Sequence, residues 1–178
     1  MRQNKGIRAV KMRETISGFT MIEIIIVVVI IAIAAMMAVP MMSSAAGTQL
    51  RSAANVIAAD LEYAKSMAIS RQKIYAVVFN ESTESYHLED PNGIIEHPVR
   101  KGFQYAVNFS NDSRLSKVDI VGVDFDPDSS HTITFDYLGS PYSGYSNPLN
   151  SGVINLQAGG TTVTITVEPV TGFISITN

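Results

Sequence analysis

The sequence predicts an α+β fold in which one long N-terminal helix precedes a domain of β-strands. Residues 24–42 form a run of 19 residues without a polar side chain, and residues 43–72 continue with a helical period. From residue 73 onward, β-branched and aromatic residues alternate with polar ones, as in half-buried strands. The 178 residues allow one modest domain, residues 73–178, in addition to a helical anchor.

The apolar run has the length of a membrane span. At about 1.5 Å per residue it covers roughly 28 Å, close to the hydrocarbon thickness of a bilayer. It is too long for the apolar region of a cleaved secretion signal, and no small-residue cleavage site follows it. We therefore expect residues 19–42 to remain in the protein as a single transmembrane helix.

Charge divides the chain near residue 18. Residues 1–18 hold five Lys or Arg against one Glu, a net charge of +4, whereas residues 19–178 hold eight against fifteen acidic residues, a net charge of −7. The positive-inside rule predicts a cytoplasmic N-terminus and an exported C-terminal domain. The absence of cysteine excludes disulfides and thiolate zinc sites.

The second half of the helix is predicted to pack on the β domain. Apolar residues recur at spacings of 4, 3, 4, 3 and 4, which places them on one helix face. They are Leu50, Ala54, Ile57, Leu61, Ala64 and Ala68. Glu62 and Lys65 can pair on another face, and Pro40, which lacks an amide proton, is expected to kink the helix. The predicted helix covers about residues 19–72.

The remaining residues predict at least eight strands. We expect strands at 74–80, 85–90, 103–109, 117–125 and 131–137, followed by a meander of 152–157, 161–168 and 173–177. Turn-rich composition predicts loops at 80–85, 110–116 and 139–151. In the meander, Val163, Ile165 and Val167 share one face and are expected in the core, together with Phe173 and Ile174 or Ile176.

A carboxylate at the entrance of the apolar run is unusual. Residues 18–23 read GFTMIE, and a charged residue in a membrane segment is costly enough that it is usually functional. This string, the basic leader before it, the apolar helix and Pro40 together resemble the type IV pilin-like prepilin family, which includes pilins and the pseudopilins of type II secretion. Met21 stands where the family more often has leucine, a near-isosteric exchange.

The resemblance implies a maturation step. Residues 1–18 would be a leader that a prepilin peptidase removes between Gly18 and Phe19, after which the new Phe19 amine would be N-methylated. Glu23 would then lie about 6 Å along the helix from the mature end. It would neutralise the Phe19 amine of its own chain or of a neighbouring subunit, and so serve as an assembly contact.

Two further segments resemble the GspH/FimT type of minor pseudopilin and minor pilin. Residues 61–71 (LEYAKSMAISR) lead into the strand at 74–79, with Lys65 where arginine is usual. Residues 135–139 (FDYLG) and 172–176 (GFISI) are similar to the C-terminal region of that group. The implied fold is a long helix packed on an antiparallel β-sandwich-like domain.

The implied function is that of a minor pseudopilin in the inner membrane, with its β domain in the periplasm, at or near the tip of a type II secretion pseudopilus. Its partners would be other pseudopilins or pilins. The alternative is a minor pilin of a type IV pilus, one that could aid DNA uptake. No Lys or Arg follows Lys117, which argues against nucleic-acid binding. No catalytic motif is present in the sequence, so we expect neither enzymatic activity nor a cofactor.

One acidic segment deserves a test against calcium binding. Asp124, Asp126 and Asp128 place oxygen ligands at alternate positions, but an EF-hand loop starting at Asp124 would need Gly and Glu where Ser129 and Phe135 stand. The pattern favours a Pro/Asp turn over an irregular calcium site. The three histidines are far apart in sequence and predict no shared metal site.

Overall fold

The structure is a computed structural model that describes residues 18–177, apart from the side chains of residues 37–45. Its contacts divide the chain into two compact units, Met1–Pro40 and Met41–Asn178. Helix α1, Met21–Arg71, begins in the first unit and ends in the second. The predicted helix, about residues 19–72, is confirmed to within two residues at each end.

In the first unit, every side chain of α1 from residue 21 to residue 36 is exposed. Among the described residues, no helical segment combines the length and the hydropathy that crossing a membrane requires. The predicted span at 19–42 and the predicted kink at Pro40 extend into residues 37–45, whose side chains lie outside the described part, and both stay predictions.

In the second unit, the predicted packing face of α1 is confirmed. All six apolar residues that the spacing selected are buried, and Ala46 and Ala53 join them. Five of these eight buried residues are alanine. Because alanine has a small side chain, the helix backbone can approach the sheet closely.

Eleven strands and one 3₁₀ turn follow the helix in the described part of the chain. They are β1 Tyr75–Asn80, the 3₁₀ turn Glu81–Thr83, β2 Ser85–Asp90, β3 Gly93–Ile94, β4 Ala106–Asn108, β5 Asp119–Asp126, β6 Thr132–Phe135, β7 Pro141–Ser143, β8 Asn147–Pro148, β9 Ser151–Ala158, β10 Thr161–Val167 and β11 Ile174–Thr177.

The strands form two antiparallel sheets. The seven-stranded sheet has the order β3-β2-β1-β6-β7-β8, with β4 also paired to β2, and the four-stranded sheet has the order β11-β10-β9-β5. Side chains of α1 and of both sheets, among them Leu61, Val77 and Ile165, belong to one buried core. The predicted α+β class, with a helix packed on antiparallel sheets, is confirmed.

Three details of the strand prediction were wrong. The predicted loop 139–151 contains two short strands: β7, which begins with Pro141, and β8, which ends with Pro148. Proline cannot donate to a β-ladder and is restricted to strand ends and edges, so turn-like composition concealed two short strands. Of the predicted strand 103–109, only β4 forms a strand. Phe173 is 61% exposed, and Ile174 packs against the core instead, whereas Val163 and its two alternate neighbours are buried as predicted.

Carboxylates from the turn after β1 complete the outer edge of β5. The backbone N–H of Ile120 donates to Glu84 Oε2 at 2.5 Å, and that of Val123 donates to Glu81 Oε1 at 2.8 Å. Burial of the Glu84 carboxyl raises its pKa, which the hydrogen bond from Ile120 opposes. The two sheets are therefore joined by charged acceptors at one edge.

Candidate functional site

The segments that resemble the GspH/FimT type meet at one place in the second unit, which we call the joint: Lys65 and Ile69 of α1, Phe135 at the end of β6 with Gly139 in the turn after it, and Gly172 in the turn before β11. A Cβ at Gly139 would lie 2.9 Å from Ile69 Cδ1, and a Cβ at Gly172 would lie 3.1 Å from the Gly139 carbonyl oxygen and 3.3 Å from Phe135 Cε1. Both glycines have a positive φ, which other residues adopt at a cost. Positions 139 and 172, where the helix meets the two sheets, therefore both require glycine.

Lys65 is the polar residue of the joint. Its Nζ donates to the Gly172 carbonyl oxygen at 3.0 Å, 107 residues away in sequence, and lies 3.8 Å from Glu62 Oε2. The second distance confirms the predicted pair with Glu62. One side chain thus ties α1 to the turn that joins β10 to β11 in the four-stranded sheet.

Large apolar side chains at the joint are left exposed. Tyr137 and Leu138, which precede Gly139, are exposed, as are Phe173, which follows Gly172, and Ile69 on α1. Exposed apolar residues that lie near one another often mark a surface that another molecule covers.

Sequence reasoning missed a buried carboxylate on α1. Asp60 is only 8% exposed, and its two oxygens accept hydrogen bonds from the hydroxyls of Tyr86 at 2.5 Å and Tyr105 at 2.7 Å. Burial raises the pKa of Asp60, and the two tyrosine hydrogen bonds act in the opposite direction. The signal was available, because Asp60 lies three residues after Ile57 and four before Ala64, at the spacing of the buried face.

The residues of the predicted cleavage site lie just before α1. Gly18, Phe19 and Thr20 are exposed and non-helical, and a Cβ added at Gly18 would contact nothing within 4 Å. The Glu23 N–H donates to Thr20 Oγ1 at 3.3 Å, and the Thr20 N–H donates to Glu23 Oε2 at 3.4 Å. This reciprocal pair is a capping box, whose T-x-x-E pattern was present in the sequence and which gives Glu23 a local role in starting the helix.

The acidic segment covers the end of β5 and its connection to β6. Both carboxylate oxygens of Asp128 accept from Asn147 Nδ2 at 2.9 Å, and the Asp126 carbonyl oxygen accepts from the Asn150 N–H at 3.0 Å. Asp124 is exposed on β5. Within the described residues, no group of three or more His, Cys, Asp or Glu side chains is placed to hold a metal ion.

The sequence model of one protein family, described as "Type II transport protein GspH", matches residues 53–172, about two thirds of the chain. The chain belongs to this family. The match begins in the packed half of α1, ends at Gly172, and so contains every residue of the joint. For this GspH family member, no match was found among curated protein sequences.

Two solved structures are similar to this GspH family member. The minor pseudopilin EpsH from the type 2 secretion system of Vibrio cholerae is similar with a TM-score of 0.52 at 8% identity, over 72% of this chain and 96% of EpsH. The type IV minor pilin FimU of Pseudomonas aeruginosa matches with a TM-score of 0.47 at 14% identity, over 72% of this chain and 88% of FimU. At 8% identity, the likeness to EpsH establishes the pilin-like fold of the chain.

Proposed function

We propose that the chain is a minor pseudopilin that assembles with other pilin-like subunits at or near the tip of a type II secretion pseudopilus. The family match over residues 53–172 carries this proposal, because the matched residues build the joint between helix and sheets rather than a reactive site. The exposed apolar side chains around the joint support a role in contacts between subunits. The role is structural and not enzymatic.

The proposal includes a membrane topology. Residues 1–18 form the cytoplasmic leader, residues 19–42 span the inner membrane, and residues 43–72 form the half of the helix that packs on the periplasmic domain, residues 73–178. The net charges of +4 and −7 on either side of Gly18 support this orientation.

Processing between Gly18 and Phe19 is supported by the local structure, since the bond lies in an exposed, non-helical stretch. In cells with a prepilin peptidase, we expect Gly18→Leu to accumulate as precursor and Gly18→Ala to be processed slightly more slowly than the natural chain. Neither change disturbs the fold, because a Cβ at Gly18 has no neighbour within 4 Å. Mass spectrometry of the mature N-terminus would also reveal the methyl group on Phe19. Normal cleavage of Gly18→Leu would refute the assignment.

Glu23 needs a variant that separates its two roles. Glu23→Gln keeps a side chain that can complete the capping box but removes the charge, whereas Thr20→Ala removes the cap and keeps the charge. If Glu23 neutralises the Phe19 amine, Glu23→Gln is inserted normally but fails to assemble, and Thr20→Ala assembles. Assembly of Glu23→Gln at the natural level would contradict the charge-pair role.

The type II assignment is tested against the pilus alternative by deleting the gene. We expect the loss of type II secretion with type IV pili and DNA uptake unchanged. Loss of pili or of DNA uptake with normal secretion would instead assign the chain to a pilus.

A further inference from the structure

Two surface cavities lie side by side in the second unit, between α1 and the segment 95–115. One has a volume of about 550 Å³ and is lined by Asp60, Tyr105 and Arg114, among others. The second has a volume of about 590 Å³ and is lined by Tyr63, Arg71 and Lys101, among others. His97 lines both cavities. Because His97 belongs to both linings, we call the two cavities together the groove.

Aromatic rings lie at the centre of the groove. The Tyr105 ring is 4.6 Å from the His97 ring and 5.6 Å from the Tyr63 ring, measured between centroids. His97 Nδ1 accepts the backbone N–H groups of Val99 at 3.1 Å and Arg100 at 3.2 Å. The neutral ring therefore carries its proton on Nε2, which is a donor.

The carboxylates that line the groove already have partners. Asp60 is bonded to the two tyrosine hydroxyls, and Asp112 is bonded to Arg114, whose guanidinium lowers the pKa of Asp112 to about 2. Glu96 accepts the Gly102 N–H at 2.5 Å, and Asp90 accepts the Asn92 N–H at 2.8 Å.

Three cationic side chains that line the groove make no such hydrogen bonds with the described residues. Arg71, Arg100 and Lys101 line the groove and are exposed, and none of their side chains makes a hydrogen bond or an ion pair with the described residues. The groove therefore has charged donors without hydrogen-bond acceptors next to aromatic rings, although Arg100 also contributes to the lowered pKa of Asp112. Arginine and tyrosine in this combination are typical of protein interfaces.

We propose that the groove receives an acidic peptide segment of a neighbouring filament subunit. The inference rests on the proposed function, which places such subunits in contact. Pilin-like chains can supply such a segment, since residues 118–178 of this chain hold six carboxylates and no Lys or Arg. A peptide is favoured over a nucleic acid because Asp90, Glu96 and Asp112 lie among these cations, so the groove offers separate positive positions that suit single carboxylates and lacks the continuous positive surface that a phosphate backbone requires.

Lys101 offers a direct test, because it is the one lysine among the residues that line the two cavities. A carbodiimide joins a lysine amine to a carboxylate only when the two are in contact. In membranes with the assembled full-length protein, we expect an amide cross-link between Lys101 and an Asp or Glu of another filament subunit, identified by mass spectrometry. Lys101→Arg keeps the charge and the assembly but loses this cross-link. Lys73→Arg, at an exposed lysine outside both cavities, keeps it.

Charge-reversal variants test the same contact without a cross-linking reagent. We expect Arg100→Glu combined with Lys101→Glu to lower the amount of co-purified partner subunit by at least about tenfold, and Lys73→Glu to leave it unchanged. Equal co-purification of both variants would overturn the groove inference and leave the proposed function intact. Failure of the natural chain to co-purify with any pilin-like subunit would refute the proposed function itself. Binding of the full-length protein to a single-stranded oligonucleotide that depends on Arg100 and Lys101 would also overturn the peptide assignment.

Discussion

The two halves of helix α1 use hydrophobic residues in different ways. From residue 21 to residue 36, apolar residues occupy all sides of the helix apart from Glu23, and all are exposed. In the second half, apolar residues recur along one face, which is buried against the sheets, and other faces carry mostly polar residues, with exceptions such as the exposed Ile69. The comparison shows that the spacing of apolar residues, rather than their mean hydropathy, indicates whether a helix packs against the rest of its own chain.

The largest difference is expected from matched truncations in the two halves. Leu61 is fully buried, so Leu61→Ala should lower the free energy of unfolding of the second unit by about 2–5 kcal/mol through lost contacts and a cavity. Ile30 is exposed, and Ile30→Ala should change it by less than about 0.5 kcal/mol. Urea unfolding of the full chain, followed by circular dichroism because the chain has no tryptophan, measures both. Equal effects would show that the two halves are not packed differently.

The contact between the packed half and the sheets can be tested at the joint. We expect Gly172→Ala to destabilise the second unit by about 2 kcal/mol, because the new methyl group meets the Gly139 carbonyl oxygen and the Phe135 ring in a positive-φ backbone. Gly160→Ala is the control, since Gly160 has φ +81 and no neighbour within 4 Å. It should cost only about 1 kcal/mol. Equal losses would mean that backbone conformation alone requires glycine at 172.

A smaller effect is expected at Asp60, the buried carboxylate in the packed half of α1. Tyr105→Phe removes one of the two hydroxyl donors to Asp60 and leaves a buried carboxylate oxygen without its partner. We expect a loss of about 1–2 kcal/mol in unfolding free energy and a further rise in the pKa of Asp60, because that hydrogen bond lowers it. Tyr145→Phe is the control, since the hydroxyl of the exposed Tyr145 donates to the half-buried carboxylate of Glu89. An equal loss there would contradict the special role of Asp60.

The smallest effect is a pH dependence of stability that arises from Asp60, the buried carboxylate of α1. Because burial raises the pKa of Asp60 in the folded protein, the folded state binds a proton more tightly than the unfolded state. Stability from Asp60 is therefore present below its ordinary pKa of 3.8 and is lost as pH rises through the raised value. Asp60→Asn should flatten this part of the stability profile, which urea unfolding at a series of pH values would measure. Glu84, whose pKa is also raised, contributes with the same sign in every variant.

Local pattern predicted more of the fold than of the site. The helix face through Leu61 and the strand face through Ile165 follow from periods of 3.6 and 2, which neighbouring residues define. Partners distant in sequence leave no such pattern. The Lys65 contact with Gly172 spans 107 residues, and the Asp60 contact with Tyr105 spans 45. The family resemblance identified the residues of the joint, but only the structure shows that they touch.

The carboxylates of Glu81 and Glu84 have a consequence for how other chains can attach to the four-stranded sheet. A free sheet edge can accept an added β-strand from another protein through its unpaired backbone groups. At β5, side-chain acceptors already occupy the N–H groups of Ile120 and Val123. The opposite edge, β11, pairs only with β10 among the described strands. Any strand donated to this sheet by another chain would therefore add at β11.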